Sequence, residues 1–153
     1  MSVYLDHAAT TPMFDVAIDA MNTSLRKLGN PSSLHTEGRS TRKDVEDARE
    51  KIAKAAGCQA SEVIFTGSGT EADNAAIKGL FWEQRASDSN RNVIVSAGVE
   101  HHAVIDSIDW LVKHEGAEVA WIPVDYSGEL DLDWLGNYLK ESANTVALIS
   151  VMW

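Results

Sequence analysis

The feature that most constrains this chain is a unit repeated along its second half: a short β-prone run, a tight turn, then a stretch with helical apolar spacing. Val63-Ile64-Phe65-Thr66 breaks at Gly67, and Thr70 to Trp82 follows with Ala72, Ala75, Ala76 and Leu80 available for packing. Asn92 to Ser96 then reads as strand, Ala103 to His114 as helix and Glu118 to Val124 as strand. After the turn Tyr126-Ser127-Gly128, Leu132 to Leu139 reads as helix, and Thr145 to Val151 is nearly uninterrupted apolar, as in a strand covered on both faces. Strands separated by helices imply a parallel sheet. The expected fold class is therefore α/β: a three-layer, mostly parallel sheet flanked by helices.

Upstream, Ala17, Met21, Leu25 and Leu28 form one helical stripe within Phe14 to Leu28, which Gly29-Asn30-Pro31 stops. Thr36 to Ala56 carries Val45, Ala48, Ile52 and Ala55 at helical spacing among many charges and ends at Gly57. Arg85 to Asn92 is polar enough for an exposed loop. With 153 residues and 44% hydrophobic content, the chain is long enough to enclose one ordinary core. Its 23 acidic against 13 basic residues give a net charge of −10, which repels phosphate backbones and anionic lipid, so neither nucleic acid nor a membrane surface is an expected partner. No apolar run approaches the roughly 18 residues of a membrane span. A single cysteine, Cys58, excludes an internal disulfide framework, and Met1 to Asp6 lack the basic and apolar parts of a secretory signal. A soluble, cytoplasmic protein is expected. Cys58 follows a helix stop in an acidic neighbourhood, which suits a structural or surface thiol better than a reactive one.

Thr66-Gly67-Ser68-Gly69-Thr70-Glu71 joins a strand to a helix. Glycines permit tight backbone geometry, and free N–H groups at a helix N-terminus, with the hydroxyls of Ser68 and Thr70, form a seat for an anion, phosphate above all. The plainer alternative is a turn in which Thr70 caps the helix. Gly67-x-Gly69-x-x-Ala72 also fits a relaxed dinucleotide fingerprint, but the next strand ends Val95-Ser96-Ala97-Gly98, without the acid that would hold a ribose. The Gly-Lys-Ser/Thr ending of a nucleoside triphosphatase loop is absent as well.

Glu100-His101-His102 follows the second strand at its carboxyl end, so it shares a sheet edge with the glycine turn. Adjacent histidines diverge on any regular element, and no HExxH or cysteine pairing completes a metal site, so no metal is expected. Beside a phosphate seat, an imidazole can instead stack on a planar ligand. Tyr4 to Pro12 and Asn30-Pro31-Ser32-Ser33-Leu34-His35 are polar runs whose composition alone assigns them no more than surface loops.

Taken together, four segments resemble the fold-type I, class V aminotransferase family, and within it the cysteine desulfurases of the housekeeping and nitrogen-fixation type. They are Tyr4-Leu5-Asp6-His7-Ala8-Ala9-Thr10-Thr11-Pro12; Asn30-Pro31-Ser32-Ser33-x-His35-x-x-Gly38; Phe65-Thr66-Gly67-Ser68-Gly69-Thr70-Glu71-Ala72-Asp73-Asn74-x-Ala76-Ile77-Lys78-Gly79; and Glu100-His101-His102-Ala103-Val104. All occur in family order and spacing. The resemblance implies a pyridoxal 5′-phosphate (PLP) enzyme in which Ser68, Gly69 and Thr70 hold the cofactor phosphate, Thr70 supplying the matched hydroxyl. His101 would stack on the pyridine ring and help relay a proton.

The same resemblance implies L-cysteine as substrate, sulfur delivery to an acceptor or scaffold protein for iron–sulfur cluster assembly, and a homodimer. It leaves His102 at a variable position and places Asn30, Ser33 and His35 in a loop near the active site. It divides the chain into an N-terminal segment, 1–35, and part of a PLP-binding large domain, 36–153. The family's cofactor-anchoring lysine, its aspartate partner for the ring nitrogen and its catalytic cysteine are all expected beyond Trp153, so this chain reads as an N-terminal portion that is not competent alone. Lys78 matches a helix position and is not that anchor. Selenocysteine lyase or a class V transaminase, or an inactive fragment serving as an interaction module, are the alternatives.

Overall fold

The computed structural model describes residues 3–7 and 9–152; Ala8 of the opening motif and Trp153 after the last strand lie outside them. The chain divides into two compact units, Met1–Ile64 and Phe65–Trp153.

In the first unit, helix α1 spans Asp15–Leu25 and α2 spans Thr36–Ala56. The expected helix to Leu28 ends three residues early, where the Lys27 N–H turns back to the Ser24 carbonyl at 3.0 Å ahead of Gly29-Asn30-Pro31. No residue of α1 is buried; Met21, Leu25 and Leu28 of its expected stripe are exposed. Helix α2 has the expected ends. The His35 ring nitrogen Nδ1 accepts from the Gly38 N–H, and Gly57 closes the helix in the left-handed region at φ 72°. Its covered face differs from the expected one: Gly38, Thr41, Val45, Arg49 and Ala53 are buried or half-buried, whereas Ala48, Ile52 and Ala55 are exposed. Arg49 explains the rotation, since its guanidinium donates to the Val63 carbonyl and turns that side toward the short 3-10 turn Ala60–Glu62.

Val63 to Thr66 is not a strand, although Val63 itself is extended. A strand needs a partner for its ladder, and among the described residues the sheet contains only three others.

The second unit runs α3 (Gly69–Ser87), β1 (Val93–Ala97), α4 (His102–Glu115), β2 (Glu118–Ile122), α5 (Leu132–Ser142) and β3 (Val146–Ile149). The strands are parallel, in the order β2-β1-β3, with Val95 opposite Ala120 on one side and Ile149 on the other. A register shift between Val93 and Ile94 lets both Ala147 and Leu148 reach the same core cluster. Helix α3 outruns its expected end by five residues and shortens the polar loop to 88–92. Its last turn is held by Arg85, which donates to the Glu115 carbonyl and lies over the Phe81 ring at 5.7 Å. Its core side is Ile77 and Phe81, one turn apart on the stripe that packs into the core cluster, while Ala75, Ala76 and Leu80 are exposed.

Two clusters cover opposite faces of the sheet. Ile77, Phe81, Val104, Ile108 and Leu111 of α3 and α4 pack with Ile94 and Ala147. On the other face, Trp134, Leu135, Tyr138 and Leu139 of α5 pack against Val93, Val95, Ile122 and Val146. This is the expected three-layer α/β arrangement. Among the described residues, no helix is long and apolar enough to cross a membrane.

Candidate active site

Helices α3 and α4 each run opposite to the strands they adjoin, so both N-termini reach the carboxyl edge of the sheet. Their common direction shows in their side chains: Lys78 and Trp82 of α3 meet Trp110 of α4, and Arg85 meets the end of α4. The glycine turn and His101 therefore share one edge and one face, as the strand–turn–helix pattern predicts.

At α3 the cap is Ser68, not Thr70. The Ser68 Oγ accepts the Glu71 N–H at 3.2 Å, and the Glu71 carboxylate reaches back to the Gly67 N–H at 2.6 Å. Ser68-x-x-Glu71 has the spacing of a reciprocal cap, a signal in the sequence that a reading centred on Thr70 misses. The arrangement accounts for Gly67, where a Cβ would lie 3.1 Å from Glu71 Oε2. It also leaves the N–H groups of Gly69 and Thr70, at the first two helical positions, ahead of the intrahelical ladder. A Cβ built on Gly69 would meet nothing within 4 Å. Neither packing nor a positive φ requires glycine there, so its bare Cα leaves an open cradle in front of the helix N-terminus.

His101 is exposed and caps α4, its Nδ1 accepting the Ala103 N–H at 3.1 Å. With Nδ1 occupied as acceptor, the neutral ring carries its proton on Nε2. His102 is the first residue of α4, and its ring stands 6.5 Å from that of His101 at 70°, consistent with divergent side chains. Glu100, which opens the histidine motif but carries no role of its own in the sequence reading, is half-buried and accepts the Met152 N–H beyond β3. A shallow cavity of about 530 Å³ lies beside Met152, lined also by Gly128, Glu129, Leu130 and Leu132.

These residues fit a planar phosphorylated cofactor: a helix N-terminus with an open cradle beside Gly69 for the phosphate, and an exposed imidazole on the same edge. Lys78 is not its anchor, because its Nζ sits 4.5 Å over the Trp110 ring. Cys58 is exposed in the other unit. Asn30, Ser33 and His35 belong to that unit too and have local work there. Asn30 accepts from the Ser32 and Ser33 N–H groups, at Oδ1 and O respectively, and His35 caps α2.

A parallel sheet with helices on both faces, carrying a glycine turn and an exposed histidine at one edge, defines a three-layer α/β domain. The sequence profile of aminotransferase class-V matches residues 3–152, and the chain belongs to that family. It is 54% identical over 150 residues to the IscS-like cysteine desulfurase of Mycobacterium tuberculosis, covering 98% of this chain and 38% of that protein. Against cysteine desulfurase IscS of Dictyoglomus turgidum it is 46% identical over 151 residues, covering 98% and 36%. Among solved structures, a NifS-like protein superposes with a TM-score of 0.88 at 34% identity, over 99% of this chain and 40% of that one. SspA in complex with cysteine gives 0.84 at 26% identity, over 98% and 42%. The chain thus spans well under half the length of the relatives it matches.

Proposed function

We propose that the protein carrying this chain is a PLP-dependent cysteine desulfurase. The observation that carries the reading is the meeting of the α3 N-terminal turn and His101 on one edge and face of a parallel sheet. Ser68, Gly69 and Thr70 bind the phosphate, through the first-turn N–H groups and the Thr70 hydroxyl. His101 stacks on the ring and holds a transferable proton on Nε2. When bound, the cofactor supplies the electron sink that stabilises negative charge on the substrate. The division is the one that the resemblance implies, an N-terminal segment 1–35 followed by part of the large domain, 36–153.

The net reaction moves sulfur from L-cysteine to an enzyme thiol. The substrate C–S bond breaks, an S–S bond forms to give a persulfide, and a proton replaces sulfur on the carbon to leave L-alanine. The names of the relatives support cysteine as substrate, as does the cysteine complex of SspA. Transfer of the persulfide to an acceptor or scaffold protein for iron–sulfur assembly, a homodimeric state and a cytoplasmic location complete the proposal. The test is a cysteine-dependent assay of the full polypeptide with alanine quantified and, in the presence of an added thiol reductant that releases the persulfide sulfur, sulfide as well; absence of both products would sink it.

A further inference from the structure

We propose that Glu100 is a positioning residue that ties the loop carrying His101 to the segment following β3, and so sets where the imidazole stands. The inference rests on the cofactor site proposed above. Strands β1 and β3 are neighbours, and their ladder continues as far as the Ser150 N–H, which donates to the Val95 carbonyl at 2.9 Å. Beyond it the two chains are joined by a side chain: the Glu100 Oε1 accepts the Met152 N–H, across 52 residues of sequence.

The turn after β1 does not need that carboxylate for its own closure. Its backbone bond runs from the Glu100 N–H to the Ala97 carbonyl at 3.3 Å, and α4 is capped by the next residue. The contact joins a half-buried side chain to a backbone N–H at the surface, where the ladder between the two strands has ended. His101 is therefore fixed on both sides, by its own Nδ1 bond to Ala103 and by the Glu100 contact immediately before it. Movement of the segment after β3 is felt one residue from the imidazole.

The test uses the full polypeptide and measures PLP affinity by absorbance titration for wild type, Glu100→Ala, Glu100→Gln, His101→Ala and the Glu100→Ala/His101→Ala double variant. Glu100→Ala is expected to weaken binding about tenfold, with no further loss when His101 is already alanine, as for directly coupled residues. Glu100→Gln, whose amide oxygen can accept the same bond, should recover most of the affinity. An equal loss in both backgrounds, or no loss, overturns the proposal. Hydrogen exchange at the Met152 amide of cofactor-free protein gives an independent readout. Faster exchange in Glu100→Ala but not in Glu100→Gln supports the contact, and unchanged protection in Glu100→Ala overturns it. Failure of the wild type to bind PLP would bring down the proposed function, while the exchange comparison would still decide the role of Glu100.

Discussion

The two units of this chain are ordered by different means. In Phe65–Trp153, side chains do the work: Phe81, Ile94, Ile108 and Leu111 are fully buried between sheet and helices. In Met1–Ile64 the buried residues of α2 are only Gly38 and Ala53, and α1 buries none. That unit is tied by the Lys27–Asp44 ion pair, by the Arg49 bond to the Val63 carbonyl and by close backbone approach. A Cβ on Gly38 would stand 2.5 Å from the Ser33 carbonyl oxygen and 2.8 Å from that of Asn30, and one on Gly29 would stand 2.7 Å from the Glu37 carbonyl oxygen. An apolar stripe on a helix thus yields a core only where another surface lies against it. Elsewhere a missing side chain can matter more than the ones present.

Truncations at the two ends of the exposure scale give the sharpest contrast. Phe81→Ala should cost about 3–5 kcal/mol by opening a cavity in a closed core, whereas Phe14→Ala, at 82% exposed, should change stability by less than about 0.5 kcal/mol. Urea denaturation midpoints at constant slope would measure both. Equal effects would mean that the units do not differ in this way. The next largest effect is expected from adding rather than removing a carbon. Gly38→Ala forces a methyl group against the backbone oxygens of Asn30 and Ser33 and should destabilise by about 1–3 kcal/mol.

The contrast also explains what was legible in the sequence. The α/β class, the parallel sheet and the shared edge of the glycine turn and His101 follow from the alternation of strand and helix, because chain direction fixes which termini meet. Which face of a helix is covered did not follow. In α2 the buried row runs through Thr41, Val45 and Arg49 because a guanidinium reaches a distant carbonyl, a contact that apolar spacing does not encode. Val63 to Thr66 has strand propensity without a ladder partner, and pairing is a property of two segments. The Glu100 contact depends on β3 lying beside β1, so no local motif reveals it. The residues themselves offered a phosphate seat and an imidazole able to stack, and the resemblance attached both to a named cofactor, whereas geometry supplied the cap at Ser68 and the proton on Nε2 of His101.

At the α3 N-terminus, two neighbouring residues should change stability in opposite directions. Ser68→Ala removes the hydroxyl that accepts the Glu71 N–H and should cost about 1 kcal/mol. Gly69→Ala meets no neighbour and adds a better helix former, so it should be neutral or stabilising by up to about 1 kcal/mol while weakening PLP binding, because its methyl enters the cradle. Thermal unfolding and a cofactor titration of both variants would measure this. If Gly69→Ala binds as wild type, the cradle does not hold the phosphate. At Gly38 the same methyl group meets the backbone oxygens of Ser33 and Asn30, so the two glycines should respond in opposite directions.

The smallest effect concerns the loop that leads from β2 to α5. Asp125 Oδ1 accepts the Ser127 hydroxyl at 2.7 Å and the N–H groups of Ser127 and Glu129 at 2.8 and 3.0 Å, while Gly128 turns the chain at φ 88°. The Ser127 hydroxyl above all, then the Glu129 N–H, holds the carboxyl below its ordinary value of 3.8 against a small opposing effect of desolvation. A depressed folded-state value means that the ionised group favours the folded loop above the unfolded value, and that this contribution is lost as pH falls through the folded one. The amide resonances of Ser127 and Glu129 should therefore titrate with a midpoint below 3.8, and Asp125→Asn should flatten that titration without moving the core. Because the carboxyl is fully exposed, the loop should loosen in acid while the β1–β3 sheet stays folded. A midpoint at or above 3.8 would show that the three bonds to Oδ1 do not favour the ionised form, and simultaneous loss of the sheet would show that the loop is not independent of the core beneath it.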